Sequence, residues 1–487
     1  MAEPLRVLLV ASEATPFAKT GGLGDMVGAL APALRQRGLD VRLLLPRYGW
    51  IRRDGLSQHP RPLSVPAGGS ERWSALLQGQ LAGVPVYFLE HNVAFDRSGV
   101  YGPPGGAYED NCFRFALLSR GALQLCAHLN WWPQVFHAHD WPTALVPVFL
   151  NTVGRGTPTG AAASVLTIHN LAHQGWFDRS RFAETGLEVG FHQHLGLEGN
   201  DGINLLKGGI YHSTVISTVS PTYAQEIQTP SYGEGLDALL RSRQSDLFGV
   251  LNGIDEEVWN PATDPHLPHR YGAEDLAGKR ACKAALQQEA GLPQRPEVPL
   301  LGLVSRLAAQ KGIDLLLAGI DRLLELDLQL VVLGTGDPSA EQLLAQLSAR
   351  RRDRVHAWIG FDERLAHLIE AGSDFFLMPS RWEPCGLNQM YSHRYGTVPI
   401  VRATGGLEDT VQNFDSATGE GTGFKFRDAT SEALLGAIQA ALRVYREDRL
   451  GMATLVRRVM AERHGWDRAA AAYEYLYRLA LVRKHRG

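Results

Sequence analysis

Twice along its length the chain cycles between short β-branched runs and amphipathic helical stretches, and a Pro-rich interruption separates the two cycles. That order constrains the fold, because strands alternating with helices call for parallel strands joined by crossover helices. In the first half, strands are expected at Arg6–Ala11, Asp40–Pro46, Pro85–Glu90, Gln134–Ala138, Ser164–His169, Thr214–Ser220 and Phe248–Asn252. Helices are expected at Met26–Arg37 and Asn111–His128. Glu256–Gly272 and Gly291–Pro299 are rich in Pro and polar residues and flank one helical segment, Ala273–Ala290; the region reads as an interdomain connection. The second half has expected strands at Pro299–Ser305, Gln329–Gly334, Arg354–Gly360, Asp374–Met378 and Val398–Arg402. Helices at Asp314–Leu324, Glu341–Ala349, Arg364–Ala371, Asn388–Tyr395 and Ser431–Tyr445 lie between or after them. The expected architecture is α/β, with two doubly wound, Rossmann-like domains facing a cleft. The first comprises residues 1–256, with the apolar helical segment 467–487 packing back on it; the second comprises residues 257–466.

Ligands of open α/β sheets bind beyond the carboxyl ends of the strands, so chemistry is sought there. The formal net charge of −3 argues against a bulk nucleic-acid binder, and the basic run Arg483-Lys484-His485-Arg486 reads as a solvated chain end. Four cysteines without a CxxC pair suit reduced thiols in a cytosolic protein. No apolar stretch reaches the roughly 18 residues of a membrane helix. The expected location is the cytoplasm, or a plastid if a transit peptide has been removed.

Glycine-rich and cationic motifs follow the predicted strands. Lys19-Thr20-Gly21-Gly22-Leu23-Gly24-Asp25 comes after the first strand and opens a helix, where bare glycines and a helix N-terminus suit anionic groups. It lacks the GxxxxGK[ST] of a P-loop, and Val27 stands where a dinucleotide fingerprint needs its third glycine. Arg306 and Lys311 share the loop after the first strand of the second half, a fork and a point charge suited to a pyrophosphate. Gly334 opens Gly334-Thr335-Gly336-Asp337, and Phe361 follows Ile359-Gly360, a place for core packing or for stacking on a base. Glu383 and Cys385 lie in Glu383-Pro384-Cys385-Gly386-Leu387, where a carboxylate can bond sugar hydroxyls and offset developing positive charge. Thr404, Gly405, Gly406 and Leu407 follow the next strand and offer backbone amides. His137-Ala138-His139-Asp140 and Thr167-Ile168-His169-Asn170 end strands of the first half; the HxH pair also permits a metal-site reading.

In order, the segments KTGGLGD, HAHDW, TIHN, TVSPTYAQEI, LNGID, WNP, SRLAAQKG, GTGD, PSRWEPCGLNQMYSHRYGTVPIV and TGGLEDTV run nearly end to end. The chain resembles the glycogen and starch synthases of glycosyltransferase family 5. The resemblance implies a GT-B fold and transfer of glucose from ADP-glucose to an α-1,4-glucan with retention. Its expected partners are ADP-glucose and the glucan (glycogen or a malto-oligosaccharide), with no nucleic acid, no membrane and no cofactor besides the donor. By position, the resemblance places Lys19, Gly21, Gly22 and Asp25 near the donor and Asp140 on the glucose or acceptor side. His169 would sit against the glucose, and Asn252 would reach the donor. Arg306 and Lys311 would clamp the diphosphate, with Gly334 nearby, and Phe361 would stack on adenine. Glu383 and Cys385 would touch the sugar, and residues 404–407 would hold the phosphates.

Three positions depart from related patterns. Tyr391 stands where cousins of this architecture carry a second glutamate, in agreement with family 5. His173 and Phe95 stand where Tyr is usual in the family. No DxD-like pair is placed to hold a divalent metal. Two other classes compete: a metal hydrolase on His137, His139 and Asp140, and a glucan-binding protein with a decayed site. The presence of Lys19, Arg306, Lys311 and Glu383 speaks against decay.

Overall fold

The computed structural model of the chain describes residues 3–103, 105–188, 196–199 and 201–486. They form two compact units, Met1–Gly253 with Trp466–Gly487, and Ile254–Gly465.

The first unit is built on a ten-stranded sheet. Its labelled strands are β1 (Arg6–Val10), β2 (Asp40–Pro46), β3 (Leu63–Ala67), β4 (Ser70–Leu81), β5 (Val84–Glu90), β6 (Val135–His139), β7 (Ala163–Ile168), β8 (Val215–Thr218) and β9 (Leu247–Gly249). The order across the sheet is β9-β8-β7-β6-β1-β2-β5-β4, with a short strand at Ser57–Gln58 beyond β4 and β3 also paired to β4. From β9 to β5 every pair is parallel. Val7 to Val10 are fully buried, as both faces of a parallel sheet require.

An antiparallel edge departs from the expected all-parallel pattern. β3 and β4 close through Gly68-Gly69, and β4 and β5 through Ala82-Gly83, with positive φ at all four turn residues. Such turns match the twist of two-residue hairpins. Only Ser74, Leu76 and Leu77 of β4 are buried, so it lacks the continuous apolar run that marks the parallel strands.

The second unit carries a six-stranded parallel sheet. Its strands are β10 (Leu300–Val304), β11 (Gln329–Gly334), β12 (Val355–Ile359), β13 (Phe375–Met378), β14 (Val398–Arg402) and β15 (Phe424–Phe426), in the order β12-β11-β10-β13-β14-β15. β15 was not expected; three residues are too few for a periodic signal. The expected helix Asp314–Leu324 is two helices, Ile313–Ala318 and Ile320–Glu325. They part at Gly319, where a Cβ would lie 3.2 Å from Ser431 Cβ. The helix Ala277–Glu289, expected in a connecting region, belongs to the second unit. Buried Lys279 ties it there by donating to the carbonyls of Ala371, Ser373 and Tyr395, each at 3.0 Å.

The helix Trp466–Arg486 completes the core of the first unit. Ala469, Ala470, Tyr473, Leu476, Tyr477 and Ala480 are buried in it, and Tyr477 Oη lies 2.8 Å from His137 Nδ1. All four cysteines are buried and lie outside any disulfide among the described residues. No described helix is long and apolar enough to cross a membrane. Removing the Tyr473 ring should destabilise the first unit: Tyr473→Ala is expected to cost about 3–5 kcal/mol, as for other large-to-small core changes, read as a lowered midpoint in thermal or urea unfolding.

Candidate active site

In each unit the strand order reverses once, between β1 and β6 and between β10 and β13. At such a point neighbouring crossovers leave on opposite faces, and the loops at the carboxyl ends part to form a crevice. The loop after β1 carries Lys19, Gly21 and Gly22; β6 ends at His139 and is followed by Asp140. The loop after β10 carries Arg306 and Lys311, and that after β13 carries Glu383 and Cys385. Eight of the residues singled out from sequence thus fall beside the two reversals, while His169, Asn252, Gly334, Phe361 and residues 404–407 end or follow other strands.

In the first unit the glycine loop leads into the helix Gly22–Gln36, whose N-terminus has no side-chain cap. A Cβ at Gly21 or Gly22 would meet nothing within 4 Å, and neither residue has a positive φ. Neither packing nor backbone conformation in the folded chain therefore demands glycine there. Lys19 Nζ lies 2.8 Å from Asp25 Oδ1, and Thr15 Oγ1 donates to the same oxygen.

Glu13 was missed by sequence reasoning. It is buried and accepts from the Thr20 amide, from Thr20 Oγ1 at 2.8 Å and from Tyr101 Oη at 2.5 Å. The carboxylate thereby fixes the loop immediately before Gly21. Fully buried Arg114 pins the segment before Tyr101 by donating to the carbonyls of Ala94 and Val100. An ionisable residue shortly after a buried strand was the available sequence signal for Glu13.

Asp140 adopts a left-handed conformation, with φ of +54°. A non-glycine residue is strained there and must be held by its surroundings. Backbone amides clamp the Asp140 carboxyl: that of His169 donates to Oδ1 at 2.6 Å, and that of Asn170 also donates to it. Burial pushes the Asp140 carboxyl up to about 8. Burial also lowers His169 to about 3 and holds His137 and His139 well below the usual imidazole range, so all three rings are neutral near pH 7. His139 Nδ1 lies 3.2 Å from His169 Nε2. Both nitrogens of His137 are engaged, by Tyr477 Oη and by Thr167 Oγ1 at 2.6 Å. This removes the HxH pair as a set of metal ligands. Among the described residues no His, Cys, Asp and Glu side chains are grouped to hold a metal. Asn252 is buried, and its Oδ1 has no partner among the described residues.

In the second unit, Lys311 Nζ lies 2.5 Å from Glu383 Oε2, and Ser380 Oγ donates to the same oxygen at 3.0 Å. Arg306 is exposed and donates to Gln310 Oε1, with no described carboxylate in ion-pair range. Gly312, with φ of +68°, brings the β10 loop against the β13 loop: a Cβ would lie 1.9 Å from the Pro379 carbonyl oxygen. Phe361 is 83% exposed, which separates it from a core aromatic. Gly334 is required by packing, since a Cβ there would lie 2.0 Å from the Ser305 carbonyl oxygen.

Gly405 and Gly406 press on the Glu383–Cys385 backbone, where added Cβ atoms would lie 1.9 Å and 2.1 Å from the Glu383 and Cys385 carbonyl oxygens. The amides of Gly406 and Leu407 are committed to the carbonyls of Glu383 and Thr404. The Gly406 amide therefore braces the Glu383 loop, whereas the Leu407 amide closes a turn within its own loop. Thr404, Cys385 and Leu407 are buried. Tyr391, at the position of the cousins' second glutamate, stacks on Trp259 with centroids 3.7 Å apart; the site of that carboxylate is filled by an aromatic pair.

The comparisons with known proteins bear on the family and the fold. Residues 6–242 match the family model described as starch synthase catalytic domain, and residues 287–453 match glycosyl transferases group 1. The chain is 49% identical to glycogen synthase 1 of Geobacter sulfurreducens over 486 residues, covering 99% of this chain and 97% of that protein. It is 51% identical to a glycogen synthase of Anaeromyxobacter sp. over 478 residues, covering 97% and 99%. The catalytic domain of starch synthase IV from Arabidopsis thaliana, solved bound to ADP and acarbose, superimposes with a TM-score of 0.90 at 35% identity, covering 99% of this chain and 100% of that one. With two Rossmann-like units, a catalytic-domain match to starch synthase and glycogen synthase relatives spanning its whole length, the chain belongs to the glycogen and starch synthases, glycosyltransferases of the GT-B fold.

Proposed function

We propose that the chain lengthens an α-1,4-glucan by transferring glucose from ADP-glucose to its non-reducing end, with retention and release of ADP. The observation that carries the proposal is the placement of cations and a carboxylate at the strand-order reversals. Lys19 and the uncapped, glycine-lined helix start lie at one; Arg306, Lys311 and Glu383 lie at the other. Bond cleavage separates charge, leaving negative charge on the diphosphate and positive charge at the sugar ring. We assign Arg306 and Lys311 to the diphosphate, assisted by Lys19 and the amides of Gly21 and Gly22. Glu383, Cys385 and the His169 carbonyl are assigned to the sugar, and Asp140 to the glucose or acceptor side. Asn252 and Asp25 support the donor, as does the loop opened by Gly334, and exposed Phe361 is assigned to the adenine face. Thr404, Gly405, Gly406 and Leu407 act by holding the Glu383 loop in place.

The Lys311–Glu383 pair gives the assignment a sequence of events. Without a diphosphate, the ammonium is held by the carboxylate. A phosphate oxygen that takes over Lys311 leaves Glu383 to accept from sugar hydroxyls. Asp140 is a poor nucleophile, because burial keeps a large fraction protonated at neutral pH. That favours attack on the same face as departure, with the leaving phosphate accepting the acceptor's proton. The cations of the chain supply the charge this step needs, so we propose no cofactor besides the donor. We place the protein in the cytoplasm, where four buried cysteines outside any disulfide are at home.

Glucose transfer to glycogen should be strong from ADP-glucose, weak from UDP-glucose, and unchanged in EDTA. Lys311→Ala should lower kcat about 10²–10³-fold, the loss seen when one transition-state donor is removed. Transfer only from UDP-glucose would keep the enzyme class and overturn the donor; loss in EDTA would overturn the metal-free step.

A second expectation concerns pH. Asp140 retains its proton in the folded chain up to about 8 but loses it near 3.8 when unfolded. Stability from this site therefore falls as pH rises through that window and is level above it. Asn cannot titrate, so the difference in Tm between Asp140→Asn and the unaltered chain should grow from pH 4 to pH 8 and then plateau. A difference independent of pH would show that Asp140 ionises normally.

A further inference from the structure

We propose that His139 is a positioning residue that fixes the tautomer of His169, so that His169 presents an N–H at Nδ1. The inference concerns a residue behind the sugar site and rests on the assignment of His169 to the sugar. His139 Nδ1 and His169 Nε2 are 3.2 Å apart, and a hydrogen bond between two ring nitrogens needs one proton between them. Each neutral ring carries one proton, so two arrangements exist.

If the shared proton sat on His169 Nε2, the His139 proton would sit on its own Nε2. That atom is buried and has no partner among the described residues. A buried N–H without an acceptor is among the rarest features of folded chains, and rarer than an underused acceptor lone pair. If instead His139 Nδ1 carries the shared proton, only a bare lone pair is left at His139 Nε2. His169 then accepts at Nε2 and must carry its own proton on Nδ1. His169 Nδ1 makes no hydrogen bond to a described residue, and it is not among the buried unpartnered atoms. It is the one ring atom of the pair able to donate outward, to a substrate oxygen.

The His139 ring cannot easily turn to swap its nitrogens. It is fully buried and lies 4.1 Å, centroid to centroid, from the His137 ring. The His137 ring is in turn held at both nitrogens by Tyr477 and Thr167. A layer of hydroxyls reaching to the helix Trp466–Arg486 thus sets the orientation of His139, and His139 sets the proton on His169.

Long-range 1H–15N correlation spectra of 15N-histidine-labelled protein, with His169 assigned through His169→Gln, report the tautomer directly and need no substrate. We expect a protonated Nδ1 and an unprotonated Nε2 for His169; the reverse pattern overturns the proposal. In His139→Asn the amide N–H replaces the Nδ1 donor and should preserve both the tautomer and kcat. His139→Leu should release the tautomer and lower kcat about tenfold, the worth of one hydrogen bond, with circular dichroism and Tm confirming a folded chain. Unchanged His169 signals in His139→Leu would overturn the positioning role. A titration with ADP-glucose separates the underlying assignment: if the tautomer is as proposed but the His169 signals do not respond to donor, the sugar-facing role falls and the tautomer assignment stands.

Discussion

Right-handed crossovers force a doubly wound sheet to reverse its strand order somewhere, and each unit of this chain does so once. At the reversal the two central strands send their following segments to opposite faces. In the second unit the two loops leave the reversal yet meet again beyond the strand ends, Gly312 against the Pro379 carbonyl and Lys311 against Glu383. Lys19, Asp140, Arg306, Lys311 and Glu383 all sit on loops that leave those central strands. Their backbone anchors are rigid because β1, β6, β10 and β13 lie inside their sheets, each paired on both sides.

The polar contacts around these loops share a logic. Two of the cations with a proposed part in transfer have a carboxylate partner that stands in for substrate. Lys311 is held by Glu383, and Lys19 by Asp25. Such pairs avoid leaving a charge half-buried and alone, which would be far more expensive than the modest net value of the pair itself. Other contacts are purely structural. Glu13 fixes Thr20, and Gly405 and Gly406 let one loop rest directly on the carbonyls of another. Glycine here has two opposite meanings: at 405 and 406 it admits protein backbone, while at 21 and 22 no protein atom fills the space.

That distinction marks how far the sequence was legible. The parallel strands could be read because each is a continuous apolar run, and the motif loops because glycines and cations cluster just after such runs. The antiparallel edge was missed although Gly68-Gly69 is a strong turn signal, because β4 buries only Ser74, Leu76 and Leu77 and carries no continuous apolar run. Pairings over long sequence distances were out of reach. Tyr101 meets Glu13 across 88 positions, and Lys311 meets Glu383 across 72. Which loops become neighbours depends on strand order, and strand order leaves no local trace. The same holds for His139 and His169, whose strands pair side by side in the sheet.

The helix Trp466–Arg486 has a consequence for biosynthesis. A ribosome makes the first 253 residues, then the whole of the second unit, and only afterwards the segment whose tyrosines close the first core. Domains tend to fold as they emerge. Here the earlier unit must wait, with the backs of His137 and Thr167 uncovered, while the later one becomes complete. The order of assembly is thus inverted relative to the order of synthesis, and a nascent chain that stalls short of residue 466 carries a finished second unit beside a first unit that still lacks one wall.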